Sequence, residues 1–212
     1  MRLAERGLRI NGIYKEAKVV NIGLIADTHM PGTIDNLWPQ VHDVFESVDC
    51  ILHAGDLHVT GVIEELETIA PTFVAAGNGD IDVRHPRLKD AWVGDFAGLK
   101  VAMVHRFPTP RRASSAKLKN KMVKHFGGEQ PDVVIYGHTH LAELHEVGGC
   151  LYVNPGSATL PNNQSTRLGT LGVLSISGGS AEVSLHQLTD EGVSLLDSLS
   201  FVSAAHHSGN QV

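Results

Sequence analysis

Val19-Val20-Asn21-Ile22-Gly23-Leu24-Ile25-Ala26 runs directly into Asp27-Thr28-His29. An apolar, β-branched run of this length reads as a strand covered on both faces of a sheet. Its polar terminus is followed by the turn Met30-Pro31-Gly32. The same grammar repeats downstream. Leu37, Val41, Val44, Phe45 and Val48 recur at helical spacing, and Cys50 to Ala54 is a second strand that stops at Gly55-Asp56. Val62 to Ala70 is a second helix with Val62, Leu66 and Ile69 inward, and Thr72 to Ala76 is a third strand ending at Gly77-Asn78-Gly79-Asp80. A βαβαβ order predicts parallel strands joined by right-handed crossovers.

From Trp92 the pattern changes. Trp92 to Phe96 and Leu99 to Val104 flank Ala97-Gly98 and read as a hairpin. Ser114 to Phe126 places Leu118, Met122 and Phe126 among lysines, an amphipathic basic helix. Val133 to Tyr136 is another buried strand, ending at Gly137-His138-Thr139-His140. Short strands follow around Leu144, Leu151, Leu171 to Ile176 and Val183 to Leu188. The expected organisation is one α/β domain over residues 19–188. An N-terminal extension (1–18) is expected to be loosely held, and residues 189–212 are expected to form a C-terminal tail.

Composition narrows the function classes. The 212 residues carry 17 Lys+Arg and 23 Asp+Glu, a net charge of −6. That balance argues against a nucleic acid as a stable partner. No apolar run is long enough to span a bilayer, and no apolar leader follows the N-terminal arginines. Two cysteines without a CxxC pairing fit a reduced, cytoplasmic compartment rather than a disulfide framework. A homo-oligomer is left open.

Thirteen histidines are the odd quantity, because imidazole is the commonest metal ligand. Seven candidate ligands fall directly after strands: Asp27, His29, Asp56, Asn78, His105, His138 and His140. Loops beyond the carboxyl ends of strands cluster in open α/β sheets, so these side chains should converge. Each signal alone is weak; a second Asp-x-His, Asp56-Leu57-His58, lies outside the first motif. Oxygen and imidazole donors without thiolate suit manganese, iron, zinc or nickel. A carboxylate can bridge two such ions at roughly 3.5–4 Å, the spacing of two-metal hydrolases.

The ordered set Asp27-x-His29, Gly55-Asp56, Gly77-Asn78-x-Asp80, His105 and Gly137-His138-Thr139-His140 resembles the calcineurin-like metallophosphoesterases. The short chain and the turn Asn154-Pro155-Gly156-Ser157 look most like the small single-domain YfcE-type phosphodiesterases. The resemblance implies a two-sheet β-sandwich flanked by helices, a four-layer αββα fold. It implies two divalent transition-metal ions, manganese first among them. Asp27, His29 and His140 would hold one, Asn78, His105 and His138 the other, and Asp56 would bridge. The implied activity is hydrolysis of a small phosphate ester, a phosphodiester foremost, by in-line attack of a metal-bridging hydroxide.

Two positions depart from the family pattern. Gly79 stands where many relatives have a proton-donating His and YfcE-type members often have Cys. His105-Arg106-Phe107 replaces a common His-Gly-His. Arg106 is therefore a candidate contact for a substrate phosphate, against the alternative of a solvated surface charge. Asp80 is expected to orient the Asn78 loop; His58 is a candidate outer partner of the ligands, with a residue outside the site as the favoured alternative. The lysines of the basic helix are expected to form a solvated face. Two other functions stay open at this stage: a non-enzymatic interaction scaffold of the retromer-small-subunit type, and a metal-dependent nuclease.

Overall fold

The computed structural model describes residues 7–10 and 19–203. Two sheets stack face to face. One has the strand order β1 (Gly7–Ile10), β6 (Ala91–Phe96), β7 (Leu99–Val104), β8 (Val133–Ile135), β10 (Cys150–Pro155), β9 (Ala142–Val147). The other runs β13 (Gly192–Val202), β12 (Ser180–Thr189), β11 (Thr170–Ser177), β2 (Val20–Ile25), β3 (Cys50–His53), β4 (Thr72–Ala75), β5 (Leu88–Lys89). Strands β2, β3 and β4 pair in parallel, as the βαβαβ order requires. The expected hairpin is β6–β7, closing on Ala97 (φ 43°) and Gly98 (φ 95°). Two consecutive left-handed residues match the twist of the flanking strands.

Three apolar clusters explain the layering. Between the sheets, Ile22 and Leu24 of β2 meet Trp92, Phe96, Val101, Met103, Ile135 and Val153 of the facing sheet. The opposite face of β2 and its neighbours, through Ile25, Ile51 and Val74, packs on α1 (Pro39–Phe45) and α2 (Gly61–Glu67). The outer face of the other sheet packs on Leu118, Met122 and Phe126 of α3 (Ser115–Phe126). The result is the expected four-layer αββα sandwich. Helix α3 starts at Ser114, whose side chain accepts a hydrogen bond from the Lys117 amide, and stops at Gly127 in the left-handed region. At Gly23 a Cβ would lie 2.9 Å from the Phe45 ring, so α1 can approach β2 this closely only over a glycine.

The expected boundaries differ from the structure at both ends. Gly7–Ile10, inside the stretch expected as an extension, form β1 and pair in parallel with β6; residues 1–6 and 11–18 lie outside the described residues. The stretch expected as a tail from 189 onward instead supplies β13, paired along its length with β12. Its sequence does not alternate cleanly, because it is an edge strand whose side chains are mostly exposed and it carries a bulge at Leu196, opposite Leu185/His186 of β12. Residues 204–212 lie outside the described residues. No helix among the described residues is long and apolar enough to cross a membrane.

Candidate metal centre

Each candidate ligand stands on a loop at the carboxyl end of a parallel strand or of β7. Six non-glycine residues of these loops hold left-handed backbone: Asp27 (φ 53°), His29 (φ 48°), Asp56 (φ 58°), His58 (φ 75°), His138 (φ 72°) and His140 (φ 58°). A single such residue is uncommon outside glycine, and a cluster marks a site where surrounding bonds over-determine the backbone. Those bonds are visible. The Asp27 amide donates to the Gly55 carbonyl at 2.9 Å and the His29 amide to the Asp56 carbonyl at 2.9 Å, tying the first loop to the second. Asp80 ties the second loop to the third. Its buried carboxylate accepts from the amides of Asp56, Leu57, His58 and Gly77 at 2.8–2.9 Å. Burial pushes the Asp80 carboxyl up, yet the amides of His58, Gly77 and Asp56 together with His53 hold it below its ordinary value. Asp80 is thus the orienting residue the sequence reading expected. Gly77 must be small here, since a Cβ would lie 2.1 Å from Asp56 Oδ1.

The side chains converge in two sets. Donor atoms of Asp27, His29 and His140 lie within 4.8 Å of one another, and so do those of Asp56, His105 and His138. Asp56 Oδ2 joins the sets, 3.8 Å from His29 Nε2 and 3.5 Å from His105 Nε2. Asn78 Oδ1 lies 3.3 Å from His105 Nε2. Arg106 is exposed beside the centre, close enough for its charge to lower the pKa of His138, after the larger effects of burial and of His105.

Hydrogen bonds set which nitrogen faces inward. His105 Nδ1 is 2.7 Å from the Ala54 carbonyl, and His140 Nδ1 is 2.7 Å from the Leu160 carbonyl. A carbonyl only accepts, so each Nδ1 carries the proton and each Nε2 offers its lone pair to the centre. His29 Nδ1 meets His58 Nε2 at 2.9 Å, leaving His29 Nε2 aimed inward, 3.2 Å from His140 Nε2. Burial lowers the His29 pKa to about 4, against the pull of Asp56. The Asp27 carboxyl is raised well above its usual range, first by burial and then by repulsion from Asp56, although the His138 amide donates to it at 2.9 Å. Buried carboxylates facing inward imidazole lone pairs have the chemistry of a divalent-metal donor set.

Several supporting residues were not singled out from sequence. The Ser157 hydroxyl donates to the Asp27 carbonyl and the Thr159 hydroxyl to the Thr28 carbonyl, both at 2.7 Å. Asn154 Nδ2 holds Thr139 Oγ1 at 2.9 Å. The Asn154-Pro155-Gly156-Ser157 turn is the one sequence signal that pointed to them. His53 is fully buried, accepting from the Gly55 amide at Nδ1 and facing Thr28 Oγ1 at 3.2 Å. His58 contacts His29, the less favoured of the two sequence readings, and its ring fills the space beside Gly79. A Cβ on residue 79 would lie 2.3 Å from His58 Nε2.

Residues 20–179 match the model of the calcineurin-like phosphoesterase superfamily domain. The chain belongs to this superfamily. It is 34% identical over 143 residues to a probable metallophosphoesterase of Methanothermobacter thermautotrophicus, covering 66% of this chain and 78% of that one. It is 28% identical over 169 residues to a phosphodiesterase of Methanocaldococcus jannaschii, covering 73% and 92%. Among solved structures, vacuolar protein sorting 29 of Cryptosporidium parvum superposes with a TM-score of 0.73 at 17% identity, covering 87% of this chain and 99% of that one; that likeness concerns the fold alone. Membership in the metallophosphoesterases makes the chain a hydrolase by family, and the family implies divalent metal ions, for which the two donor sets are the candidates.

Proposed function

We propose that the protein is a dinuclear metal-dependent phosphodiesterase acting on a small phosphate ester in the cytoplasm. The observation that carries this is the pair of converging donor sets joined through Asp56. In this reading Asp27, His29 and His140 would hold one ion. Asn78, His105 and His138 would hold the other, with the Asp56 carboxylate available to both. Ions bound there supply Lewis-acid polarisation of the phosphoryl oxygens and of an attacking water, manganese being the favoured metal. The chain's residues do the rest. Asp27 and Asp56 bring the negative charge that makes two cations tolerable in one buried site. Ala54 and Leu160 carbonyls hold the imidazoles in the ligating tautomer. Asp80 keeps the Asp56 and Asn78 loops at fixed separation.

A second reading, left open by the sequence, is an interaction scaffold without turnover. Buried carboxylates and histidines that serve no ion would be a standing cost to such a scaffold. Chelator-stripped protein reconstituted with manganese separates the two. Two ions per chain by elemental analysis and turnover of bis(p-nitrophenyl) phosphate are expected. Saturation at one ion or none, or two ions without turnover of any phosphate ester, overturns the enzymatic reading.

A further inference from the structure

Beside the second donor set lies a cavity of about 340 Å³, at the small end of ligand-binding sites. One wall is Asn78 and His105; Arg106, Lys124, His125 and Asp90 stand around the rest. Lys124 and His125 come from the last turn of α3, whose lysines the sequence reading treated as a solvated face. The fold turns that end of the helix toward the metal centre, while Leu118, Met122 and Phe126 bury against the sheet.

Three features point to an anionic ligand. Arg106 and Lys124 are exposed basic side chains lining the cavity, and Asp90 offsets only one of them. His125 Nε2 is buried and has no hydrogen-bond partner among the described residues. Buried polar atoms are nearly always satisfied, so an orphan lining a cavity marks a place for a ligand atom. Finally, a guanidinium, an ammonium and an imidazole line this one cavity, a number of donors that suits the three terminal oxygens of a phosphoryl group better than the two of a carboxylate.

Resting on the phosphodiesterase reading, we infer that this cavity is a subsite for a second phosphoryl group, so that the substrate is a phosphodiester whose retained arm carries a terminal phosphate. Arg106, Lys124 and His125 grip that phosphate while Asn78 and His105 belong to the ion beside the scissile ester.

The test compares two p-nitrophenyl diesters with the same leaving group, one with an ethyl arm and one with a 2-(phosphonooxy)ethyl arm. With manganese-loaded protein, kcat/KM should favour the phosphorylated arm by about tenfold or more, the scale of a charge-assisted contact. Lys124→Gln, His125→Gln and Arg106→Gln should each reduce that preference, and Lys117→Gln, on the same helix but away from the cavity, should leave it intact. Independently, ethyl phosphate should show a saturable ³¹P shift on metal-free wild-type protein that Lys124→Gln removes. A preference near unity, or one that persists in all three variants, overturns the subsite. If neither diester turns over, the phosphodiesterase reading falls, and the ³¹P titration decides the anion site by itself.

Discussion

Gly79 and His58 share one volume: the ring of His58 stands where a Cβ on residue 79 would go. A side chain introduced at 79 must therefore eject His58 and break its 2.9 Å contact with His29. Outer partners of metal-ligating histidines typically account for about 10–100-fold in affinity. Gly79→Ala is expected to weaken manganese binding by roughly tenfold in a calorimetric titration. The unfolding free energy of the metal-free protein should move by no more than about 0.5 kcal/mol, since His58 is exposed. Gly79→His should behave in the same way rather than add a proton donor. His53 makes a different prediction. Burial lowers its pKa from 6.5 to about 4, so the folded state keeps it neutral where the unfolded chain takes up a proton. Its contribution is complete above pH 6.5 and is lost as pH falls through about 4. Urea midpoints of metal-free wild type and His53→Gln, compared between pH 7 and pH 4, should show wild type losing more stability across that window.

At the scale of elements, strands and helices with an unbroken period were legible. β2, β3, β4 and β8 are continuous apolar runs because both faces are covered, and α3 has its cap, its apolar stripe and its terminal glycine in sequence. β13 was not legible, because an exposed edge strand is under no pressure to alternate, and the two-residue β5 is too short to have a period. The junction of β2 with α1 carries the most testable packing claim. Gly23→Ala drives a methyl to 2.9 Å from the Phe45 ring, and overpacking of this kind costs about 1–3 kcal/mol. Chemical denaturation should register that loss. Metal content at saturation should stay at the wild-type value, because Gly23 lies within β2 and away from the loops of the centre.

For the whole molecule, ions held by the candidate donor sets would link the loops and the two sheets into one system. Ions that bind only the folded chain stabilise it by about 2.7 kcal/mol at a hundredfold excess over Kd. For a chain of this size that amounts to a rise in Tm of roughly 5–10 °C, which calorimetry with and without manganese should reveal. Asp56→Asn should lower both ion occupancies and abolish most of that rise, because its carboxylate lies between the sets. Asn78→Ala should leave one ion per chain by elemental analysis, since only the second set loses a donor. The sequence by itself determined the βαβαβ core and the seven candidate ligands, through local properties: apolar period, strand-ending glycines, and side chains with lone pairs. The sandwich class followed from the resemblance of the ordered motifs to the calcineurin-like metallophosphoesterases, not from any local period. Only the tertiary structure decided how those residues act together. It decided that Asp80 clamps two loops through four amides, that His58 occupies the space left by Gly79, and that the end of α3 faces the centre. That residues as far apart as Asn78 and Lys124 line one cavity depends on how helices and sheets stack, and no local pattern in the chain encodes that stacking.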